Sequence, residues 1–73
     1  MEYTNIKLDV ENGVASIWLN RPDALNALTP DLLSEFSQAL TLVGQNEQVK
    51  ALVIRGEGKA FCAGADLTFF DPF

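Results

Sequence analysis

A short run of small residues, Gly64-Ala65-Asp66-Leu67, has the composition of a backbone that could bind a ligand. Small side chains let a ligand approach the main chain closely, and a helix beginning beside them would point unpaired N–H groups outward. Such donors can stabilise a negative oxygen that develops on a carbonyl group. A plain turn between a strand and a helix would have the same composition, so the residues alone leave both interpretations open.

The reactive side chains of the sequence have simpler interpretations than catalysis. Cys62 could be a nucleophile, but the sequence contains no His to activate it, and a buried structural thiol fits better. Ser16, Ser34 and Ser37 lack a His-based triad partner for the same reason. Asp66 could be a general base, but its position favours the cap of a following helix.

Two nucleotide-binding patterns fail on their spacing. Residues 56–61 begin like a dinucleotide-binding fingerprint, but Phe61 stands where the pattern requires Gly or Ala. Gly58-Lys59 looks like the end of a phosphate-binding loop, but Ala60 replaces the Ser or Thr and Val53 occupies the first Gly position. A structural turn therefore accounts better for these glycines.

The hydrophobic pattern predicts a β-hairpin at the start of the chain. Apolar and polar residues alternate over residues 6–10, which is the period of a half-buried strand. Asn12-Gly13 tolerates the two positive φ angles of a tight hairpin turn. A second strand, rich in β-forming residues, is predicted over residues 14–19, so the hairpin takes up residues 4–20.

Several independent signals predict a helix that begins after Thr29. Thr29 can cap the helix, Pro30 suits the first helical position, and Asp31 in the first turn interacts favourably with the helix dipole. Apolar residues then recur on one helical face. Gly44 is a natural stop, so the helix is predicted to end there.

The predicted third strand leaves apolar surface without a cover. The run over residues 51–54 does not alternate, which is typical of a strand covered on both faces in a parallel sheet. Strand, helix and strand imply a right-handed crossover, and a short helix is predicted to begin near Leu67. One hairpin and one helix are too little cover, so we expect a larger parent protein or a tight oligomer. Phe69, Phe70 and Phe73 fit core or interface positions better than an acyl pocket.

Length, charge and composition exclude several classes of function. The chain has 73 residues, which is enough for one small domain, and its single Cys and lack of His exclude an internal disulfide and an ordinary zinc site. The net charge is −5 and the basic residues are scattered, so no nucleic-acid partner is expected. No apolar stretch approaches the roughly 20 residues that span a bilayer, and no signal peptide is evident. We therefore expect no membrane partner and a cytoplasmic location.

Two motifs, with a helix of the expected length between them, carry a family resemblance. Residues 17–28 read IWLNRPDALNAL, and residues 53–67 read VIRGEGKAFCAGADL. They are similar to the LNRP…ALNAL and G-x-G-x-x-F-x-A-G-x-D-L segments of the enoyl-CoA hydratase/isomerase (crotonase) family. The resemblance implies an α/β fold, the amino-terminal part of one ClpP/crotonase-like spiral of ββα units. In that fold residues 1–73 would form a β-hairpin, a helix, a parallel strand and the start of a short helix.

The resemblance also implies a function for the run of small residues. In the family, the thioester oxygen of an acyl-CoA lies between two backbone N–H groups, which form an oxyanion hole. By resemblance, the N–H of Ala65 is the first of these donors. The same resemblance places coenzyme A along the backbone of Asp23, Ala24, Leu25, Ala63, Gly64, Asp66 and Leu67. It implies an acyl-CoA substrate, no tightly bound cofactor, no metal, and assembly into trimers or dimers of trimers.

Part of the family's machinery belongs to segments later than these 73 residues. The second oxyanion donor is a Gly in a later Gly-rich segment, and the acid/base carboxylates come later still. Loss of one oxyanion donor typically lowers the rate by about 10²–10³, so we expect the 73 residues alone to be inactive. Two functions stay open: the amino-terminal portion of an acyl-CoA hydratase/isomerase-type enzyme, or a non-catalytic fragment that binds coenzyme A or self-associates.

Overall fold

The computed structural model describes residues 3–62 and residue 64. Its three-stranded sheet has the order β1-β2-β3, with β1 at Ile6–Glu11, β2 at Val14–Leu19 and β3 at Ala51–Gly56. Strand β2 is antiparallel to β1 and parallel to β3. A 3-10 turn at Pro22–Ala24 and helix α1 at Pro30–Gln45 connect β2 to β3. The predicted hairpin, helix and parallel strand are confirmed, whereas the short helix predicted near Leu67 lies outside the described residues.

The hairpin turn consists of two residues because Glu11 pairs directly with Val14. Asn12 and Gly13 have φ angles of 52° and 79°, in the left-handed region that this tight turn requires. The Gly13 carbonyl also accepts the N–H of Lys50 at 2.7 Å, which fixes the approach of the chain to β3.

Helix α1 begins as its sequence predicts and ends one residue later. Thr29 is extended, with φ −123° and ψ 163°, and its hydroxyl oxygen accepts the N–H of Leu32 at 3.1 Å. The predicted stop at Gly44 is wrong, because the helix continues to Gln45. Asn46 makes the turn instead: its N–H donates to the Val43 carbonyl, and its side-chain oxygen accepts the N–H of Gln48.

The core lies between α1 and one face of the sheet. The strand register places alternate residues of β1 and β2 on that face, where their apolar side chains meet the buried side of the helix. The buried apolar residues are Ile6, Ala15, Ile17, Leu19, Leu32 and Ala39. The Glu35 carboxylate further ties α1 to the start of β1 by accepting three hydrogen bonds of 2.7–2.9 Å from Thr4 and Asn5.

Strand β3 is less covered than its sequence pattern predicts. Leu52 and Ile54 pair with Ala15 and Ile17, so they lie on the helix-facing side of the sheet. They are nevertheless 39% and 41% exposed, because α1 packs on β1 and β2. The described residues thus leave both the edge of β3 and part of its apolar face open.

Candidate functional site

Two loops meet where the parallel strands β2 and β3 end. The first comprises residues 20–28, which follow β2, and the second comprises residues 57–62 with Gly64, which follow β3. Parallel neighbours bring their carboxyl ends to the same edge of a sheet, so topology alone places these loops side by side. We call this region the loop junction.

The first loop is tightly folded by its own backbone. The N–H groups of Ala24 and Asn26 both donate to the Arg21 carbonyl, at 3.0 and 2.8 Å. Leu25 and Asn26 have φ angles of 53° and 57°, so the chain passes through two consecutive left-handed residues. This conformation is costly for Leu, whereas Asn tolerates it better. The loop must therefore be held by contacts from outside itself.

The Asn26 side chain makes one contact within the first loop and two contacts to the second loop. Its side-chain oxygen accepts the N–H of Arg21 at 2.7 Å, and its side-chain nitrogen donates to the carbonyls of Glu57 and Ala60, each at 2.7 Å. Asn26 is completely buried, with 0% exposure. Both N–H donors of the carboxamide are used, so one side chain connects both halves of the loop junction.

Backbone contacts hold the second loop against the first. The Leu28 N–H donates to the Gly64 carbonyl at 2.7 Å, and Gly64 has a φ of +108°. The second loop also folds back over the end of β3, where a Cβ on Gly56 would lie 2.5 Å from the Cα of Phe61. A Cβ on Gly58 would lie 2.9 Å from the Cβ of Pro22. The glycines that the sequence marked as a structural turn are therefore required for close approach.

The structure places four of the residues predicted to bind coenzyme A at this junction. Asp23 and Ala24 lie in the 3-10 turn and Leu25 follows it, while Gly64 is joined to the same loop through Leu28. Asp23, Leu25 and Gly64 are exposed and Ala24 is half-buried, so these residues lie at the surface of the junction. The other predicted positions, Ala63, Ala65, Asp66 and Leu67, lie outside the described residues. The oxyanion donor therefore stays a prediction.

Sequence reasoning missed Asn26, which forms the centre of the junction. Asn is a residue type that favours turns, and that is the only local signal it offers. Its partners Glu57 and Ala60 are 31 and 34 positions away, and each accepts through its backbone carbonyl, which every residue type possesses. Only the fold brings these groups together.

An apolar groove opens beside the loop junction, between α1 and β3. Its volume is about 240 Å³, and it is lined by Leu19, Leu28, Leu32, Leu33, Phe36, Ile54, Phe61 and Cys62. Cys62 was predicted to be a buried thiol, but it is only half-buried because its side chain borders this open groove. Its sulfur lies 3.9 Å from the Gly64 carbonyl oxygen.

Charged groups lie on the opposite face of the sheet. The Lys7 ammonium is 3.2 Å from the Glu57 carboxylate, and the Arg55 guanidinium lies 5.6 Å from the centre of the Trp18 ring. Across residues 3–62 and 64, no three His, Cys, Asp or Glu side chains cluster closely enough to hold a metal ion. No helix in this part of the chain combines the length and apolar character needed to cross a membrane.

Known proteins resemble this chain in both sequence and fold. The profile of the enoyl-CoA hydratase/isomerase family matches residues 9–70. A crotonyl-CoA hydratase of Syntrophomonas wolfei is 46% identical over 70 residues, which are 94% of this chain and 27% of that protein.

Solved structures of family members superpose closely on this chain. An enoyl-CoA hydratase/isomerase from Mycobacterium paratuberculosis matches with a TM-score of 0.88 and 44% identity, over 90% of this chain and 26% of that one. An enoyl-CoA hydratase/isomerase from Xanthobacter autotrophicus Py2 matches with a TM-score of 0.89 and 40% identity, over 92% of this chain and 25% of that one. The chain thus spans 25–27% of the length of these three relatives. With its hairpin, helix and third strand arranged as in the crotonase fold, this chain belongs to the enoyl-CoA hydratase/isomerase family.

Proposed function

We propose that this chain contributes coenzyme A binding and one oxyanion-hole donor to an acyl-CoA hydratase/isomerase-type enzyme. The observation that carries the proposal is the loop junction. Residues 23–25 and Gly64, which the family resemblance assigns to coenzyme A, belong to two loops joined by the Leu28–Gly64 hydrogen bond and by Asn26. In this proposal residues 1–73 are the amino-terminal fragment of a single domain.

The chemistry assigned to this chain is the stabilisation of a developing negative charge. The Ala65 N–H would donate to the thioester oxygen as it becomes an enolate oxygen, while carboxylates supplied from outside the 73 residues would move the protons. A backbone donor suits this task because its direction is fixed by the fold and needs no reorganisation during the reaction. Residues 23–25, which lie at the surface of the junction, would hold the coenzyme A arm.

The open apolar surface supports further protein packing against this chain. Leu33, Leu40, Leu52, Ile54 and Phe61 are between 39% and 56% exposed. Side chains of this kind on neighbouring elements are typical of an interface. We propose that the rest of an acyl-CoA-binding domain covers them and that the protein assembles as a trimer or a dimer of trimers in the cytoplasm. The same surface favours a second candidate, a non-catalytic fragment that binds coenzyme A or self-associates.

One substitution tests the proposed donor directly. Ala65→Pro removes the N–H, whereas Ala65→Gly keeps it and removes only the methyl group. In the protein expressed from its natural gene, we expect Ala65→Pro to lower kcat for enoyl-CoA hydration by about 10²–10³, and Ala65→Gly to lower it far less. Loss of the enoyl absorbance reports the rate, and circular dichroism checks that both variants are folded.

Calorimetric titration separates the two candidate functions. Binding of a short-chain enoyl-CoA together with hydration supports the enzyme. Binding without hydration supports the non-catalytic candidate. The absence of binding at millimolar ligand would contradict the enzyme and the coenzyme A-binding fragment, and would favour a fragment that only self-associates.

A further inference from the structure

We infer that Asn26 is a positioning residue that fixes the spacing between the two segments proposed to bind acyl-CoA. The inference rests on the proposed function, since it concerns how that site is held in shape. Asn26 itself is completely buried and so is not placed to touch a ligand. Its effect would pass through the backbone of the two loops.

The hydrogen bonds of Asn26 point to this role. On one side its side-chain oxygen accepts the Arg21 N–H at 2.7 Å and thereby closes the loop that contains residues 23–25. On the other side its side-chain nitrogen donates to the Glu57 and Ala60 carbonyls, at 2.7 Å each, in the loop that leads to Gly64. These carbonyls lie beyond the end of β3 at Gly56, so the sheet ladder does not hold them.

The backbone conformation of Asn26 adds a second requirement. Its φ of 57° follows a φ of 53° at Leu25, and Asn combines tolerance of this region with an amide that can donate twice. Asp would keep the acceptor but lose both donors when ionised. Gly would keep the conformation but lose every side-chain bond. Both substitutions therefore remove hydrogen bonds of the Asn26 side chain while keeping a residue type that tolerates this backbone conformation.

The functional consequence follows from the geometry of a ligand that spans both loops. A displacement of about 1 Å between a binding segment and a reacting group can lower a rate by about 10²-fold. Without Asn26, the loop at residues 57–62 would lose two anchors to the loop at residues 20–28. We expect weaker acyl-CoA binding and slower turnover of the bound substrate.

The experiment compares Asn26→Gly with Asn12→Gly in the protein expressed from its natural gene. Asn12 is a matched control because its φ is 52° and it lies in the exposed hairpin turn at the other end of β2. Calorimetric titration with a short-chain enoyl-CoA measures the dissociation constant and the fraction of competent sites separately. We expect the dissociation constant of Asn26→Gly to rise at least tenfold with the site fraction unchanged, while Asn12→Gly matches the wild type.

Asn26→Asp supplies a test that does not depend on the folding of the Gly variant. When protonated, its carboxyl group can donate to the Glu57 or Ala60 carbonyl, but when ionised it can only accept. The charged side chains on residues that Asn26 contacts are those of Arg21 and Glu57, and the Glu57 carboxylate is paired with Lys7 at 3.2 Å. We expect the affinity of Asn26→Asp, relative to Asn12→Asp at each pH, to fall as the pH rises.

The outcomes distinguish this inference from the function on which it rests. A wild-type protein that binds no enoyl-CoA would overturn both. The positioning role alone would be overturned by a different result, in which the wild type binds enoyl-CoA and Asn26→Gly keeps the same dissociation constant. In that result the variant would lose only competent sites. A pH-independent affinity ratio for Asn26→Asp would overturn it as well.

Discussion

The two ends of β2 carry turns of similar backbone conformation and very different construction. At one end, Asn12 and Gly13 pass through the left-handed region with φ angles of 52° and 79°. At the other end, Leu25 and Asn26 do so with φ angles of 53° and 57°. The Asn12 side chain is exposed, whereas Asn26 is completely buried and bonded to residues 31 and 34 positions away.

The difference shows how a junction of two loops departs from a purely structural turn. A hairpin turn needs only residues that tolerate its angles, because the adjoining strands supply the hydrogen bonds. The loop junction has no ladder and must hold two irregular loops together, so it uses a buried amide and two close-packed glycines. The hairpin turn depends mainly on its own two residues, whereas each element of the junction depends on the others.

The largest expected contrast is between Asn26→Ala and Asn12→Ala. Both place Ala in the left-handed region, which costs about 1 kcal/mol. Asn26→Ala also removes three part-buried hydrogen bonds to the backbone of Arg21, Glu57 and Ala60, each worth about 1 kcal/mol net. We expect urea unfolding to show that the free energy of unfolding falls by about 4 kcal/mol in Asn26→Ala and by about 1 kcal/mol in Asn12→Ala. Equal losses would mean that these three hydrogen bonds add nothing to the stability.

Gly56→Ala tests the close approach of the second loop to the end of β3. Its new Cβ would lie 2.5 Å from the Cα and carbonyl oxygen of Phe61 and 2.6 Å from the Ala60 oxygen, so backbone atoms must move. We expect a loss of about 3 kcal/mol in the free energy of unfolding. Gly44→Ala is the matched control because nothing lies within 4 Å of its Cβ position. Gly44→Ala should raise the free energy of unfolding by about 0.5–1 kcal/mol, because Ala is favoured over Gly inside a helix. A Gly56→Ala variant with unchanged stability would contradict the described packing.

The same contrast decides what could be predicted from sequence. Local patterns predict three features that depend only on neighbouring residues: the hairpin turn, the Thr29 cap and the apolar run of β3. The end of α1 was misplaced by one residue, because Gly44 is only one of the residues that can terminate a helix and Asn46 makes the turn.

The candidate site could be predicted only in part. The similarity of residues 17–28 and 53–67 to the family motifs predicted which segments would bind coenzyme A, and the structure brings residues 23–25 and Gly64 to one junction. The role of Asn26 was not predictable, because its partners are backbone carbonyls that no pattern of side chains reveals. Contacts of this kind depend on the tertiary fold.

A smaller effect is expected from Gly58→Ala against Gly13→Ala. The two glycines have φ angles of +83° and +79°, so the conformational cost of Ala is the same at both positions, about 1 kcal/mol. At Gly58 the Cβ would also lie 2.9 Å from the Cβ of Pro22, whereas at Gly13 the nearest atom is the Gln48 oxygen at 3.3 Å. We expect urea unfolding to show that the free energy of unfolding falls by about 2 kcal/mol in Gly58→Ala and by about 1 kcal/mol in Gly13→Ala. A larger loss at Gly13 would reverse the comparison between the two ends of β2.

The smallest expected effect is that of Thr29→Ala, which removes a local feature beside the loop junction. The Thr29 hydroxyl oxygen accepts the Leu32 N–H at 3.1 Å, and loss of such a cap costs about 1 kcal/mol. Thr41→Ala is the matched control on the same helix: its exposed hydroxyl donates to the Ser37 carbonyl at 3.2 Å, and we expect a change within about 0.5 kcal/mol. Because the cap is confined to the first turn of α1, acyl-CoA affinity should stay unchanged in Thr29→Ala while urea unfolding shifts. An affinity loss comparable with that of Asn26→Gly would show that local and long-range contacts at this end of β2 act as one unit.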